Sequence, residues 1–495
     1  MSETAAHRDC NVLRWLGAYT SSAVGDTVYY IALSWAAVQA GTPVQAGLVT
    51  AVSAAPRALL MMGGGVITDR YGPRRVVLGS SVLRFLLVVA AAGLLLVTNP
   101  GLWALGAVAL LFGTVDAVFL PAASALPARI TGHGQLARVH GMRGLATRLA
   151  TVLGGPLGGL GIALGGTAGA FALAALLIGG SLPLMRAVRT ARETETRADS
   201  ARSPQPSAPG PARLPGAART DPASWPGVAP TDPAHSPGAA PTDPARTPRA
   251  APPETAGAAR LAPAGAAHAA GAVPAGTARR SVTAQADAPG PAGGVPGGLR
   301  DGLRHIARHR VLRPLVIATA LGDLGFVGPM NLGLILLAEE KGWGSAGTGW
   351  VLAGFGAGAG AASLLLTLRG RVPRAGLVIA GGEIAGSLAI AGLAHAPSAL
   401  TATAVALVVG LAAGLGGALR GALLQVTASP AHLGRVTSVA TLTGFGVAPL
   451  TFPLVGAAVE RWSTGPVFAV CAAICGLGAL VTLCSVPLRR AELPH

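Results

Sequence analysis

The chain has 495 residues, 51% of them hydrophobic and 12% charged, with a mean hydropathy of +0.56. A soluble domain carries about 25% charged residues, so half that share excludes an ordinary soluble enzyme and points to a chain that crosses a bilayer many times. The net charge of +17 would suit a nucleic-acid binder, but the arginines stand between apolar runs and in one linker, so no nucleic-acid partner is expected.

Residues 1–12 are polar and lack a cleavage site, so the first span itself should direct insertion. Span 1 runs over about 13–38 with Gly25-Asp26 near its middle, and span 2 over 46–67 with Arg57. Span 3 (76–97) contains Arg84 and span 4 (103–126) contains Asp116. Span 5 (145–164) contains Gly154-Gly155-Pro156-Leu157-Gly158-Gly159, and Gly165-Gly166-Thr167 turns the chain into span 6 (168–184).

Residues 190–297 are a different material, dense in Ala, Pro, Gly and Arg, with Thr-Asp-Pro recurring at 220, 231 and 242. Proline at this density blocks helix and sheet alike, so a disordered cytoplasmic linker is expected, with no partner assigned to it. Leu299 to Leu315 reads as a basic amphipathic helix, with Leu303, Ile306 and Arg310 at helical spacing, suited to the headgroup layer.

Spans 7 to 12 follow over about 315–337 (with Gly322-Asp323), 347–368, 376–394 (with Glu383), 400–426 (with Arg420), 436–459 and 466–488. The short loops rich in Arg all fall on one side if both termini are cytoplasmic. The four Cys (Cys10, Cys471, Cys475, Cys484) give no disulfide framework.

The chain also repeats itself. Asp26 recurs as Asp323, Arg138 as Arg435 and Pro156 as Pro453, where the differences 323 − 26, 435 − 138 and 453 − 156 are all 297. The expected architecture is therefore all-α and membrane-embedded. It has a first bundle of six helices (13–189), the linker (190–297), a cytoplasmic amphipathic helix (298–314) and a second bundle (315–488), with 1–12 and 489–495 as cytoplasmic tails.

Between spans 2 and 3 stands Gly65-Val66-Ile67-Thr68-Asp69-Arg70-Tyr71-Gly72-Pro73-Arg74-Arg75. Read as G-x-x-x-D-R-x-G-x-R-R, it resembles the loop between the second and third spans of major facilitator superfamily transporters. Gly65 is expected to let helices approach, Gly72-Pro73 to turn the chain, and Asp69 to bond a helix end or an Arg across the bundle. The equivalent loop of the second half, Arg369-Gly370-Arg371, lacks the Asp.

The resemblance implies twelve spans in two pseudo-symmetric bundles, related by an axis along the membrane normal, with the transport site between them. Gly155-Pro156-x-Gly158-Gly159 looks like the core of the fifth-span signature of the superfamily's antiporters, where a Pro kink and small residues let a half-bundle rock. With Gly-Asp in span 1 and Leu-x-Arg-Val in both inner loops, this is similar to the drug, macrolide and siderophore exporter branch. It implies proton-driven efflux of a hydrophobic or amphipathic small molecule across the cell membrane by a monomer, powered by the proton gradient, with no cofactor, no metal and no enzymatic activity.

A charge inside the bilayer costs about 2.5–3.5 kcal/mol on insertion scales, so each needs a partner or a task. Depth counting suggests the pairs Asp26–Arg57, Arg84–Asp116 and Glu383–Arg420, leaving Asp323 without a basic partner. Asp26 and Asp323 are the proton-coupling candidates, facing a central cavity. The other reading of Asp26 is a static counter-ion at a helix irregularity. An importer of a small metabolite is the nearest rival, though few Asn or Gln stand in the spans. A polytopic membrane enzyme would need a His/Asp or metal cluster that the sequence lacks, and a sensor would use the linker as output.

Overall fold

The computed structural model describes residues 9–98, 101–131, 135–188, 296–369, 372–429 and 432–492. The linker expected at 190–297 lies almost wholly outside these residues, as do Gly370 and Arg371. All regular structure among the described residues is helical.

Helix α1 (Cys10–Ala40) begins at Asp9, whose carboxylate accepts the Asn11 N–H at 2.8 Å. It runs unbroken through Gly25 and Asp26, so no irregularity stands there. Helix α2 (Pro43–Tyr71) starts in a reciprocal cap between Thr42 and Gln45, with Pro43 at its first position. It ends at Gly72, whose φ of +83° lets the chain stop and restart at once as α3 (Pro73–Val97). Helix α4 (Leu102–Ala125) and a short turn, α5 (Pro127–Ile130), complete the first four rods.

Helix α6 (Leu136–Arg186) holds spans 5 and 6 as two arms folded at Gly165 (φ −129°, ψ 17°) and Gly166 (φ 62°, ψ −167°), where the sequence asks for a turn. These two are its only non-helical residues, so the chain does not break at Pro156.

The amphipathic helix α7 covers Pro296–Arg308, shorter than the 299–315 expected. His309 stops it: its Nδ1 accepts the N–H groups of Val311 and Leu312, both at 3.2 Å, and caps the following helix. Its inward residue is Ile306, 5% exposed, whereas Leu303 is 50% exposed. Span 7 is α8 (Leu312–Gly328), a π-helical turn (Pro329–Gly333) and α9 (Leu334–Glu340). The proline repeats across the halves gave no sign of that π turn. Helices α10 (Gly344–Arg369), α11 (Ala375–Ala394), α12 (Ala399–Thr427), α13 (Leu433–Trp462) and α14 (Thr464–Cys484) follow, and α15 (Val486–Arg489) is a final turn set off by Ser485.

Among the described residues nine stretches are long and apolar enough to cross a membrane, or ten if the bent α2 counts as one span. One of these is the two-armed α6, and α1 with its Asp26 stands outside the set. Counting both arms and adding α1 gives twelve rods in two sets of six. Between 22% and 56% of the best window of each stretch is buried, so much of the apolar surface (Leu59, Val97, Trp103, Leu164) faces outward, as lipid contact requires.

The halves meet along two helix pairs, α2 with α13 and α6 with α10. A Cβ on Gly155 would lie 2.8 Å from the Gly349 carbonyl oxygen, and one on Gly47 would lie 2.6 Å from that of Phe452. Gly349 therefore rests on Gly155-Pro156 as Gly47 rests on Phe452-Pro453, and the sequence repeat appears as repeated packing. Two hydrogen bonds join the halves at the end away from residue 9: Val44 N–H to Glu460 Oε2 at 3.3 Å, and Ser345 Oγ to the Gly159 carbonyl at 3.2 Å.

Candidate functional site

Four charged side chains from four helices converge in the middle of the first bundle. Arg84 is fully buried, and its Nη1 donates to both carboxylate oxygens of Asp26 at 2.8 Å. The same nitrogen lies 3.4 Å from Asp116 Oδ1, and Nη2 donates to Ser22 Oγ at 2.9 Å. The guanidinium carbon sits 3.6 Å above the centre of the Phe119 ring. Asp116 is shared: its Oδ2 lies 3.5 Å from Arg57 Nε and accepts from Tyr30 OH at 3.4 Å. Arg57 stacks on the Tyr30 ring at 4.6 Å.

The pairing differs from depth counting at Asp26, whereas the expected Arg84–Asp116 and Glu383–Arg420 contacts are formed. Asp26 is held by Arg84 and not by Arg57, while Arg57 reaches Asp116. Residue counting gives height along a helix but not direction around it, and helices α1 and α3 turn these side chains towards each other. The two Asp and two Arg form one neutral network in place of two separate pairs.

In the second bundle Arg420 Nη1 donates to Glu383 Oε1 at 2.6 Å, and Thr482 Oγ1 donates to Glu383 Oε2 at 3.2 Å. Asp323 makes no ion pair among the described residues. It lines a cavity of about 280 Å³ together with Glu383, Arg420 and Arg148, the last from the first arm of α6. Arg148 escapes sequence reading because an Arg three residues into a span reads as an interfacial anchor.

A second cavity, of about 300 Å³, lies between the bundles at mid-depth. Thr27, Tyr30, Ser53 and Arg57 line it from one half, and Phe326, Met330, Asn331, Leu352 and Phe355 from the other. Asp26 lines neither cavity, contrary to its expected position on a central one; Arg84 draws it into the bundle.

The loop signature is partly rearranged. A Cβ on Gly65 would meet nothing within 4 Å, whereas one on Gly64 would lie 2.6 Å from the Ala117 carbonyl oxygen, so the close approach to α4 falls one residue earlier. Asp69 is exposed and makes no hydrogen bond or ion pair among the described residues, so the expected latch is not formed. Arg70 lies over Tyr71, and Arg74 donates to the Arg186 carbonyl at 3.0 Å, tying the loop to the end of span 6. Arg75, like Asp69, stands at this end of the molecule.

Gly155 and Gly159 face α10, while Gly154 and Gly158 face α1 at Thr27 and Ile31, as a four-residue step on one helix dictates. Arg138 is exposed at the start of α6, and the side chain of Arg435 lies outside the described set. No group of three or more His, Cys, Asp or Glu that could hold a metal stands among the described residues.

Two six-helix bundles with internal repeats, closed on each other by small residues at one end and enclosing a mixed polar and aromatic cavity at mid-depth, are the architecture of a secondary transporter. The Major Facilitator Superfamily profile matches residues 15–444, and the chain belongs to that family. No curated sequence matches it. Its fold is similar to the crystal structure of a D-xylose-proton symporter (TM-score 0.61, 11% identity, 97% of each chain covered). It is equally similar to that of the nucleoside transporter NupG (TM-score 0.61, 10% identity, 97% of this chain and 100% of that one). At such identities the likeness is one of fold. The chain is a multi-pass membrane transport protein.

Proposed function

We propose that this transporter couples proton movement to the export of a hydrophobic or amphipathic small molecule across the cell membrane, with both termini cytoplasmic and the monomer as the working unit. The observation that carries the coupling is the placement of carboxylates beside the cavities: Asp116 touches Arg57 of the central cavity, and Asp323 lines the neighbouring one with no ion pair among the described residues. Such a carboxylate can take up a proton from one side and release it to the other as access alternates. Arg84 joins Asp26 to Asp116, so a change at either carboxylate is felt by the other through a shared guanidinium.

Export is favoured by the Gly155-Pro156-x-Gly158-Gly159 segment, which packs directly on α10 of the other half and sets how the bundles rock. Orientation rests on the arginines at the end where α1 starts, among them Arg70, Arg74, Arg75, Arg374 and Arg489. Import of a small metabolite is the second reading, favoured by the polar lining of the central cavity at Thr27, Ser53 and Asn331. Substrate accumulation in cells lacking the gene, with and without a protonophore, separates the two. An exporter raises accumulation when deleted, and a protonophore abolishes the difference. An importer lowers it.

A further inference from the structure

Arg57 is partnered on one edge only. Its Nε edge faces Asp116, and its ring face lies on Tyr30. Its two terminal nitrogens make no hydrogen bond among the described residues, and the side chain lines the central cavity at 20% exposure. A guanidinium presents a planar fork of donors, and two unfilled terminal nitrogens beside a largely apolar cavity are a standing demand for an oxyanion.

One helical turn earlier on the same face of α2 stands Ser53. It is 2% exposed, lines the same cavity, and its hydroxyl has no partner among the described residues. Two neighbouring cavity hydroxyls behave otherwise. Thr27 donates to the Ala23 carbonyl at 2.9 Å and Thr50 to that of Ala46 at 3.0 Å. A buried hydroxyl left open costs free energy unless a ligand fills it. Opposite these two residues the wall is apolar apart from Asn331, with Phe326, Met330, Leu352 and Phe355.

We infer that Arg57 and Ser53 form an oxyanion-binding subsite, and that the cargo is an amphipathic organic acid whose carboxylate docks there while its apolar body lies against the Phe326–Phe355 wall. This rests on the transporter reading for the word cargo, but the subsite stands on its own geometry, and it holds for either direction of transport. The cavity volume of about 300 Å³ suits a body of one or two fused rings.

The test uses the full-length protein purified in detergent and three probes of one shape: 2-naphthoate, 2-naphthalenemethanol and 2-naphthylmethylammonium. Binding is read by calorimetry at neutral pH. The naphthoate should bind at least tenfold more tightly than the alcohol, and the ammonium more weakly than either. Arg57→Gln should erase the preference of acid over alcohol while leaving alcohol binding within about twofold. Ser53→Ala should reduce naphthoate binding several-fold, and Arg57→Lys should retain part of it.

If Arg57→Gln does not fold, the Ser53→Ala and Arg57→Lys results decide alone. Absence of naphthoate binding at millimolar concentration, equal binding of acid and ammonium, or an acid preference that survives Arg57→Gln each overturns the subsite. Proton-driven movement in liposomes is measured separately. Binding preference without transport would contradict the transporter reading and leave the subsite standing, whereas transport without acid preference would do the reverse.

Discussion

Arg84 on α3 donates from one nitrogen to both carboxylate oxygens of Asp26 on α1, at 2.8 Å each, from a position with no exposure to solvent. The first bundle is thus held in its middle by a buried cation with three polar partners, Asp26, Asp116 and Ser22. Removing one member of a buried ion network leaves a charge without compensation, which costs about 3–5 kcal/mol. Arg84→Gln should lower the midpoint of thermal unfolding in detergent by several degrees and abolish transport. Arg84→Gln combined with Asp26→Asn should recover much of the stability without the transport. Unchanged unfolding of the single variant would show that the pair carries no structural weight.

The two adjacent glycines at the end of α2 give a sharp contrast. Gly64 meets the backbone of α4 at Ala117, and Gly65 faces open space. Gly64→Val forces the helices apart and should cost about 1–3 kcal/mol, read as reduced yield of folded protein from membranes. Gly65→Ala should express, melt and transport like the parent, since it fills nothing and removes a flexible residue.

Gly155 and Gly349 lie back to back across the two halves. Gly349→Leu should wedge α6 from α10 and disfavour the state in which this end is closed. Cysteines placed at Val44 and Glu460 offer a readout, because these residues are bonded in that state. Crosslinking should fall several-fold in Gly349→Leu and be unaffected by Gly360→Leu, a glycine on the same helix that meets nothing within 4 Å.

The junction between α7 and α13 should respond to acid. His305 stacks on His432 with ring centres 4.3 Å apart and lies 5.9 Å from His309. Burial, then the neighbouring His432 and His309, hold its pKa below the usual 6.5. The docked helix therefore prefers the neutral ring. Above pH 6.5 docking is at full strength; as pH falls, the undocked helix takes up a proton first and docking weakens. Amide exchange in 296–308 should quicken between pH 7 and 5.5, and His305→Phe should remove most of that dependence.

The rods, their order and the fold of α6 at Gly165-Gly166 were legible in the sequence, because a bilayer demands long apolar helices and glycine pairs punctuate them. The repeat was legible too, and Pro156 and Pro453 do occupy matching contacts. What the sequence withheld was direction around each helix. That is why Arg84 takes Asp26 from Arg57, why Gly64 and not Gly65 touches α4, and why Asp26 turns away from the central cavity. The stop of α7 at His309 was hidden because the acceptor that caps the start of α8 is a histidine nitrogen, which helix-capping preferences do not flag. Ser53 and Arg148 drew no notice, since a serine in an apolar run reads as a helix-compatible filler and an arginine near a span end as an anchor.

The central claim, that proton movement is tied to cargo movement through the acids of the two bundles, is tested most directly in liposomes holding the purified chain and a pH-sensitive dye, preloaded with 2-naphthoate or with buffer alone, with an acid-outside gradient then imposed. We expect proton flux that depends on both the protein and the naphthoate, and its loss in the Asp26→Asn, Asp323→Asn double variant although that variant still inserts and still binds the probe. Naphthoate crossing with no proton flux, or an unaltered flux in the double variant, would contradict the account.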